Sequence, residues 1–262
     1  MAVTDPVAAA YSATGGAWQS GPGRVYDRLA EVVLARAPVA GCRVIDVGAG
    51  TGAATRAALA AGAASVIAVD AAVGMLVHDA DHRPPAAAAD AIALPFAASA
   101  FGASVAAFSL NHLSDPAAGL REMRRVTRPG GAIVAAAYAA DDTHPVKAAV
   151  EAAVVARGWE PEPWYAAVRD RTAPLLAAAD GFAAAADAAG FDADIESIRV
   201  PFPELDGPAL VSWRLGMAQL APFIARLSPE DRRAVVADSL DALGPAPPEL
   251  VRSILVLRAV RP

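Results

Sequence analysis

In the stretch Val44-Ile45-Asp46-Val47-Gly48-Ala49-Gly50-Thr51-Gly52, an apolar run gives way to three alternate glycines. A helical pattern follows over Gly52–Ala61. Glycines at such a turn permit positive φ and let a ligand approach bare backbone. The N-terminus of the helix that follows directs free N–H groups at that ligand, which suits a carboxylate or a phosphate. The loop alone is ambiguous, because Gly48, Gly50 and Ala53 also satisfy the dinucleotide pattern G-x-G-x-x-G/A.

Working outward, Asp70 ends the next apolar run, 22 positions after Gly48. A carboxylate there accepts hydrogen bonds from ribose hydroxyls of either a dinucleotide or S-adenosylmethionine (SAM). Asp46 and Asp90 separate the two. Asp46 stands two residues before the first glycine, where a carboxylate suits the α-ammonium of SAM better than a pyrophosphate. Asp90, in Asp90-Ala91-Ile92-Ala93-Leu94-Pro95-Phe96, is placed to accept from an adenine amino group. The plainer alternatives are that Asp46 caps the loop and that Asp90 caps the turn over Ala91–Pro95.

Four motifs in order resemble the class I SAM-dependent methyltransferase family, within it the ubiquinone/menaquinone-biosynthesis type. They are Asp46–Gly52, Val69-Asp70, Asp90-Ala91 with Leu94-Pro95-Phe96, and Arg121-Glu122-Met123-Arg124-Arg125-Val126-Thr127-Arg128-Pro129-Gly130-Gly131. The resemblance covers roughly residues 40–137. It implies a Rossmann-like, doubly wound α/β fold: a seven-stranded sheet, mostly parallel with an antiparallel last strand, and helical cap elements. It implies SAM as cofactor and S-adenosylhomocysteine as product. The cofactor-binding set carried over is Asp46, Gly48, Ala49, Gly50, Gly52, Asp70, Ala71, Met75, Asp90, Ala91 and Phe108.

In this fold the reactive sulfonium faces the loop after the fourth strand, here Phe108-Ser109-Leu110-Asn111-His112-Leu113. His112 is the candidate base, since an unperturbed imidazole titrates near neutral pH. The bland alternative is a hydrogen bond to the turn at Asp115. Methyl transfer does not require a base, because alignment alone supplies much of the rate. Outside the motifs, Tyr11, Trp18, His144, Trp164 and Trp213 are the candidate substrate contacts, with Tyr26 in the N-terminal lid that the family implies. Flat apolar walls suit an aromatic or terpenoid-like molecule.

The remaining pattern alternates short β-like runs with helical ones, as a parallel sheet wrapped by helices requires. Strands are expected at Arg43–Val47, Ser65–Val69, Ala86–Ala89, Ala103–Phe108, Ala132–Ala137, Asp192–Val200 and Ser253–Val260. Further helices are expected at Val73–Asp79, Pro116–Val126, Pro145–Arg157, Ala183–Ala189, 207–227 and 229–242. The chain reads as one domain over 1–262. Lid helices occupy 1–40, the SAM-binding core 41–140, cap segments about 145–180 and 207–242, and the last strand about 253–260.

Among 262 residues, 55% are hydrophobic, enough for a full core, though alanine dominates. No apolar stretch approaches the ~20 residues of a bilayer span, and no secretory signal is visible. With a single cysteine, Cys42, this points to the cytoplasm. A net charge of −6 argues against nucleic acid. The expected partner is a small molecule, with no membrane and no metal, and the chain is a monomer or homodimer. Methylation of a small molecule on oxygen, nitrogen or activated carbon, possibly in secondary metabolism, is the leading function. A cyclase that keeps SAM as a structural cofactor is the alternative, and a nicotinamide-dependent oxidoreductase is disfavoured by Asp46 and Asp90.

Overall fold

The computed structural model describes residues 5–78, 81 and 83–262. Seven strands form one sheet in the order β3-β2-β1-β4-β5-β7-β6. They are β1 (Arg43–Val47), β2 (Ser65–Asp70), β3 (Ala86–Ala88), β4 (Phe101–Ala107), β5 (Thr127–Tyr138), β6 (Asp194–Phe202) and β7 (Leu250–Val260). β1 to β5 pair in parallel, while β7 runs antiparallel to both β5 and β6. All seven expected strands are present, the last of them antiparallel as the family resemblance implied.

Alternation along the strands separates two apolar layers. Val44, Val105, Val134 and Val256 face one side, with α3 (Gly23–Leu34), α4 (Ala53–Ala60), α7 (Pro145–Val155), α10 (Gly207–Leu215) and α12 (Pro229–Leu243). Ile45, Val47, Ile133 and Leu257 face the other, with α6 (Pro116–Val126) and α9 (Ala179–Ala188). Burial on both faces is what a parallel sheet demands.

Helix α6 has the expected bounds: the Asp115 side chain accepts from Ala118 N, and Pro116 occupies the first turn. The helix ends before Pro129-Gly130-Gly131, which lie in β5, starting at Thr127. The helix expected over Val73–Asp79 is α5 (Val73–Val77), and Asp79 lies outside the described residues. The single helix expected over 207–227 is two, α10 and α11 (Ala221–Arg226), with Gly216 closing the first and Pro222 in the first turn of the second. The N-terminal region also divides. α1 (Pro6–Ser12) and α2 (Gly15–Ser20) precede α3, which is not a lid: Val25, Leu29, Val33 and Leu34 are buried in the main apolar layer.

Beside Tyr138, where β5 pairs with β7, lies a buried ion cluster. Asp142 accepts from Arg252 Nε at 2.8 Å and Nη2 at 2.7 Å, from Lys147 Nζ at 2.9 Å and from Ser253 N at 3.0 Å. The Arg252 and Asp142 side chains are each 5% exposed. Asp142→Ala should therefore strand the buried Arg252 beside a partly exposed Lys147 and cost about 3–5 kcal/mol. Urea denaturation checks this; a loss below 1 kcal/mol would show the cluster to be hydrated rather than dry.

Candidate active site

Chain order reverses across the sheet between β1 and β4, and at such a switch point the strand ends leave a crevice. Gly48 follows β1 at φ +73°, and Ser109 follows β4. The Ser109 hydroxyl donates to Val47 O at 2.7 Å, and a Cβ on Gly48 would lie 2.1 Å from Ser109 Cβ. Glycine is thus required at 48 by the neighbouring strand as much as by any ligand. Phe108 also has positive φ, +62°, which is strained for a bulky residue. Its N–H donates to Ala136 O at 2.9 Å and its ring stacks on Tyr138 with centroids 4.7 Å apart, and these contacts hold it there.

The cavity at this crevice gathers most of the expected residues. From the glycine loop come Gly48, Ala49 and Gly50; from the end of β2 come Asp70 and Ala71, and from α5 comes Met75. Asp90 and Ala91 follow β3, and Phe108 and His112 follow β4. Tyr11 and Trp18, from α1 and α2, close the opposite side. Tyr26 and Ser109 also line it. Ser109 belongs to the loop Phe108–Leu113 that the sequence places facing the crevice, although nothing local marks it for a particular role.

Five expected residues lie elsewhere. Gly52 caps α4 at φ +91°. His144 caps α7: its Nδ1 accepts from Val146 N at 3.2 Å and its Nε2 meets Pro248 O at 2.9 Å. Trp164 is buried against Val168 and Ala218 and donates to Glu162 Oε2 at 3.1 Å. Trp213 belongs to the main core, under the Arg252 guanidinium at 4.9 Å. No residue of 145–180 or 207–242 lines this cavity. The fifth is Asp46. Strand alternation turns it onto the α4 face, where its Oδ2 accepts from Thr55 Oγ1 at 2.6 Å.

Asp46 nonetheless carries an electrostatic signature. It is 1% exposed, and its Oδ1 is buried with no hydrogen-bond partner. Burial pushes its carboxyl up to about 6, against the lowering effect of Thr55. Asp70 is raised by burial as well, opposed by backbone bonds at 2.7 Å from both Ala72 N and Gly50 N. Asp90 uses Oδ1 to accept from Ile92 N at 3.0 Å, so the turn-capping role is present alongside its place in the cavity wall. Among the described residues no group of three or more His, Cys, Asp or Glu is arranged to hold a metal.

His112 does not bond the Asp115 turn. Its Nε2 lies 3.3 Å from the Tyr11 hydroxyl, and its Nδ1 is buried without a partner. Burial lowers the imidazole to about 4, with Asp5 acting the other way. It is therefore neutral throughout the physiological range and a weaker base than the unperturbed value implied. Burial likewise keeps the Tyr11 phenol protonated.

Two expected outcomes follow from these shifts. The folded state favours protonated Asp46, so its charged form carries a penalty present above pH 6 and absent below about pH 4. Asp46→Asn should stabilise the ligand-free protein by roughly 2–3 kcal/mol at pH 8 and by nearly nothing at pH 4. A gain independent of pH in chemical denaturation would contradict the assignment. For His112 the folded state disfavours the proton, so its contribution is present above the unfolded value near 6.5 and is lost as pH falls toward 4. NMR titration of its ring should give a midpoint near pH 4; a midpoint near 6.5 would mean the ring is hydrated.

Residues 45–135 match a methyltransferase domain family. A demethylmenaquinone methyltransferase of Mycolicibacterium gilvum is 41% identical over 130 residues, which is 50% of this chain and 56% of that protein. The chain thus spans a little over half the length of the curated relatives it matches. The complex between the Haloferax volcanii Trm112 methyltransferase activator and a methyltransferase contains a chain with TM-score 0.60 and 19% identity, all of both chains being covered. Phosphoethanolamine N-methyltransferase 2 of Haemonchus contortus, in complex with phosphomonomethylethanolamine and S-adenosylhomocysteine, gives 0.58 at 20% identity, over 96% of this chain and 58% of that one. At these identities the solved structures speak for the fold. The motifs and the strand order agree with the methyltransferase-domain match over residues 45–135.

Proposed function

We propose that this chain binds SAM in the β1–β4 crevice and transfers its methyl group to a small-molecule acceptor under α1 and α2, releasing S-adenosylhomocysteine. One observation carries the reading. The glycine loop, Asp70, Asp90 and Phe108 line a single cavity together with His112 and the aromatic residues Tyr11, Trp18 and Tyr26. The residues fit the cofactor: Gly48 and Gly50 bare their backbone in the cavity wall, and Asp46, buried next to Val47 of that wall, favours a cationic ligand end through its field.

When bound, SAM supplies an electrophilic methyl on a sulfonium. Asp70 holds the loop through Gly50 N and keeps further lone pairs for ribose hydroxyls. Asp90 has its second oxygen available for an adenine amino group. Ala71, Met75 and Ala91 form apolar walls for the base. Asp46 acts as the counter-charge of the amino-acid end. His112, neutral and paired with Tyr11, accepts a hydrogen bond from the acceptor and aims its lone pair; orientation carries more of the rate than proton transfer to so weak a base. The charge of −6 favours a small molecule over nucleic acid. No described helix is long and apolar enough to cross a membrane, and we take the setting to be the cytoplasm, with the chain a monomer or homodimer.

SAM and S-adenosylhomocysteine should each raise the melting temperature, while NAD leaves it unchanged. Asp70→Ala should weaken cofactor binding by about 1.5–3 kcal/mol in calorimetry. Equal stabilisation by NAD would sink the cofactor assignment. Acceptor turnover without formation of S-adenosylhomocysteine would leave SAM as a structural cofactor of a cyclase.

A further inference from the structure

Four residues of the cavity wall are joined into a closed ring of hydrogen bonds, and Arg83 closes it. Asp70 Oδ2 accepts from Gly50 N and Asp70 Oδ1 from Ala72 N, each at 2.7 Å. Ala72 O accepts in turn from Met75 N at 2.9 Å. Met75 O accepts from Arg83 Nη1 at 3.2 Å, and Gly50 O accepts from Arg83 Nη2 at 3.3 Å. The path has then returned to Gly50. Gly50, Asp70, Ala72 and Met75 all line the cavity, whereas Arg83 does not and acts through them.

Backbone chemistry explains why a guanidinium stands here. Helix α5 is five residues long, so its last carbonyls meet no N–H of their own helix. Arg83 Nη1 donates to Leu76 O at 2.6 Å as well as to Met75 O. One planar fork thus serves two helix carbonyls with one nitrogen and the glycine-loop carbonyl with the other, which a compact ammonium cannot do. A cation is also favoured at a helix C-terminus. Gly50 is held at both ends, its N–H by Asp70 and its carbonyl by Arg83.

We propose that Arg83 is a positioning residue of the cofactor site, which bridges the glycine loop to the end of α5 and so holds Gly50, Asp70, Ala72 and Met75 in the arrangement that receives the cofactor. This rests on the SAM-binding reading for the identity of the ligand, while the ring itself stands on the geometry of the protein. Arg83 lies within the matched domain but outside the four motifs that mark the cofactor site in the sequence. Its charge reinforces its role. Burial raises the carboxyls of Asp46 and Asp70, and the charge of Arg83 opposes that rise in both. The other groups acting on Asp46 are Thr55 from α4, which lowers it, and Asp70 from β2, which raises it.

Amide hydrogen exchange of the ligand-free protein tests the ring, and calorimetric titration with S-adenosylhomocysteine tests its consequence. In Arg83→Met the Gly50, Ala72 and Met75 amides should exchange about tenfold faster or more, while those of β1 and β4 keep wild-type protection. Affinity for S-adenosylhomocysteine should fall about tenfold or more. In the wild type that affinity should decline as pH falls through about 6, where Asp46 takes up a proton. Removing the Arg83 charge raises Asp46, so in Arg83→Met this limb should move to higher pH. Arg83→Lys keeps the charge but not the fork: its limb should stay in place while affinity still falls severalfold. That variant carries the test should Arg83→Met fold poorly. Wild-type exchange at Gly50 and Ala72 in Arg83→Met, or undiminished affinity in either variant, would overturn the proposal. So would a weakened Arg83→Met whose pH limb has not moved, since loss of structure alone gives that result. Failure of the wild type to bind S-adenosylhomocysteine would overturn the cofactor reading instead, and the exchange measurement would still decide whether Arg83 holds the loop.

Discussion

The contact between Gly48 and Ser109 is the constraint on which the rest of the site depends. It joins the ends of β1 and β4 at the switch point in the parallel part of the sheet, where the chain order turns. Because Gly48 has no side chain, Ser109 can reach Val47 O, and the chain then turns through the strained Phe108. That turn aims Phe108 into the cavity and puts His112 one short helical turn further on. The same glycine bends β1 toward α4, which brings Gly50 N onto Asp70. The glycine loop, Asp70 and the loop after β4 are therefore one connected unit, and a change at any of them is transmitted through short, directed hydrogen bonds.

Around this unit the protein keeps several polar groups poorly satisfied. Asp46 is buried with one oxygen unpartnered, His112 has a bare Nδ1, and Arg214 lacks a counter-charge. Each is unfavourable in a low-dielectric interior. Their opposite charges are instructive. Asp46 is an acid and Arg214 a cation, while the His112–Tyr11 pair in the cavity wall is neutral. The apolar layers on both faces of the sheet supply the stability that such groups reduce.

The cofactor half was legible from residue order because its requirements are local. A glycine loop must follow a strand directly, and Asp70 and Asp90 must follow the next two strands. The substrate half was much less so. Tyr11 and Trp18 reach the cavity, but His144, Trp164 and Trp213 do not, although all five look alike as aromatic residues outside the motifs. Arg214 and Arg252 carry no local mark, because in sequence an arginine on a helix or strand looks solvated. Only burial exposes them as unusual.

The sequence by itself determined the sheet, its glycine turn and the carboxylates around it, since backbone conformation and strand alternation are written in neighbouring residues. The tertiary structure alone decided that Asp46 lies under α4 instead of in the cavity wall, that His112 pairs with Tyr11 across 101 positions, and that Arg214 on α10 is buried. Those relations depend on desolvation and on which helices pack across the sheet. Such quantities arise from contacts between distant segments and have no local signature.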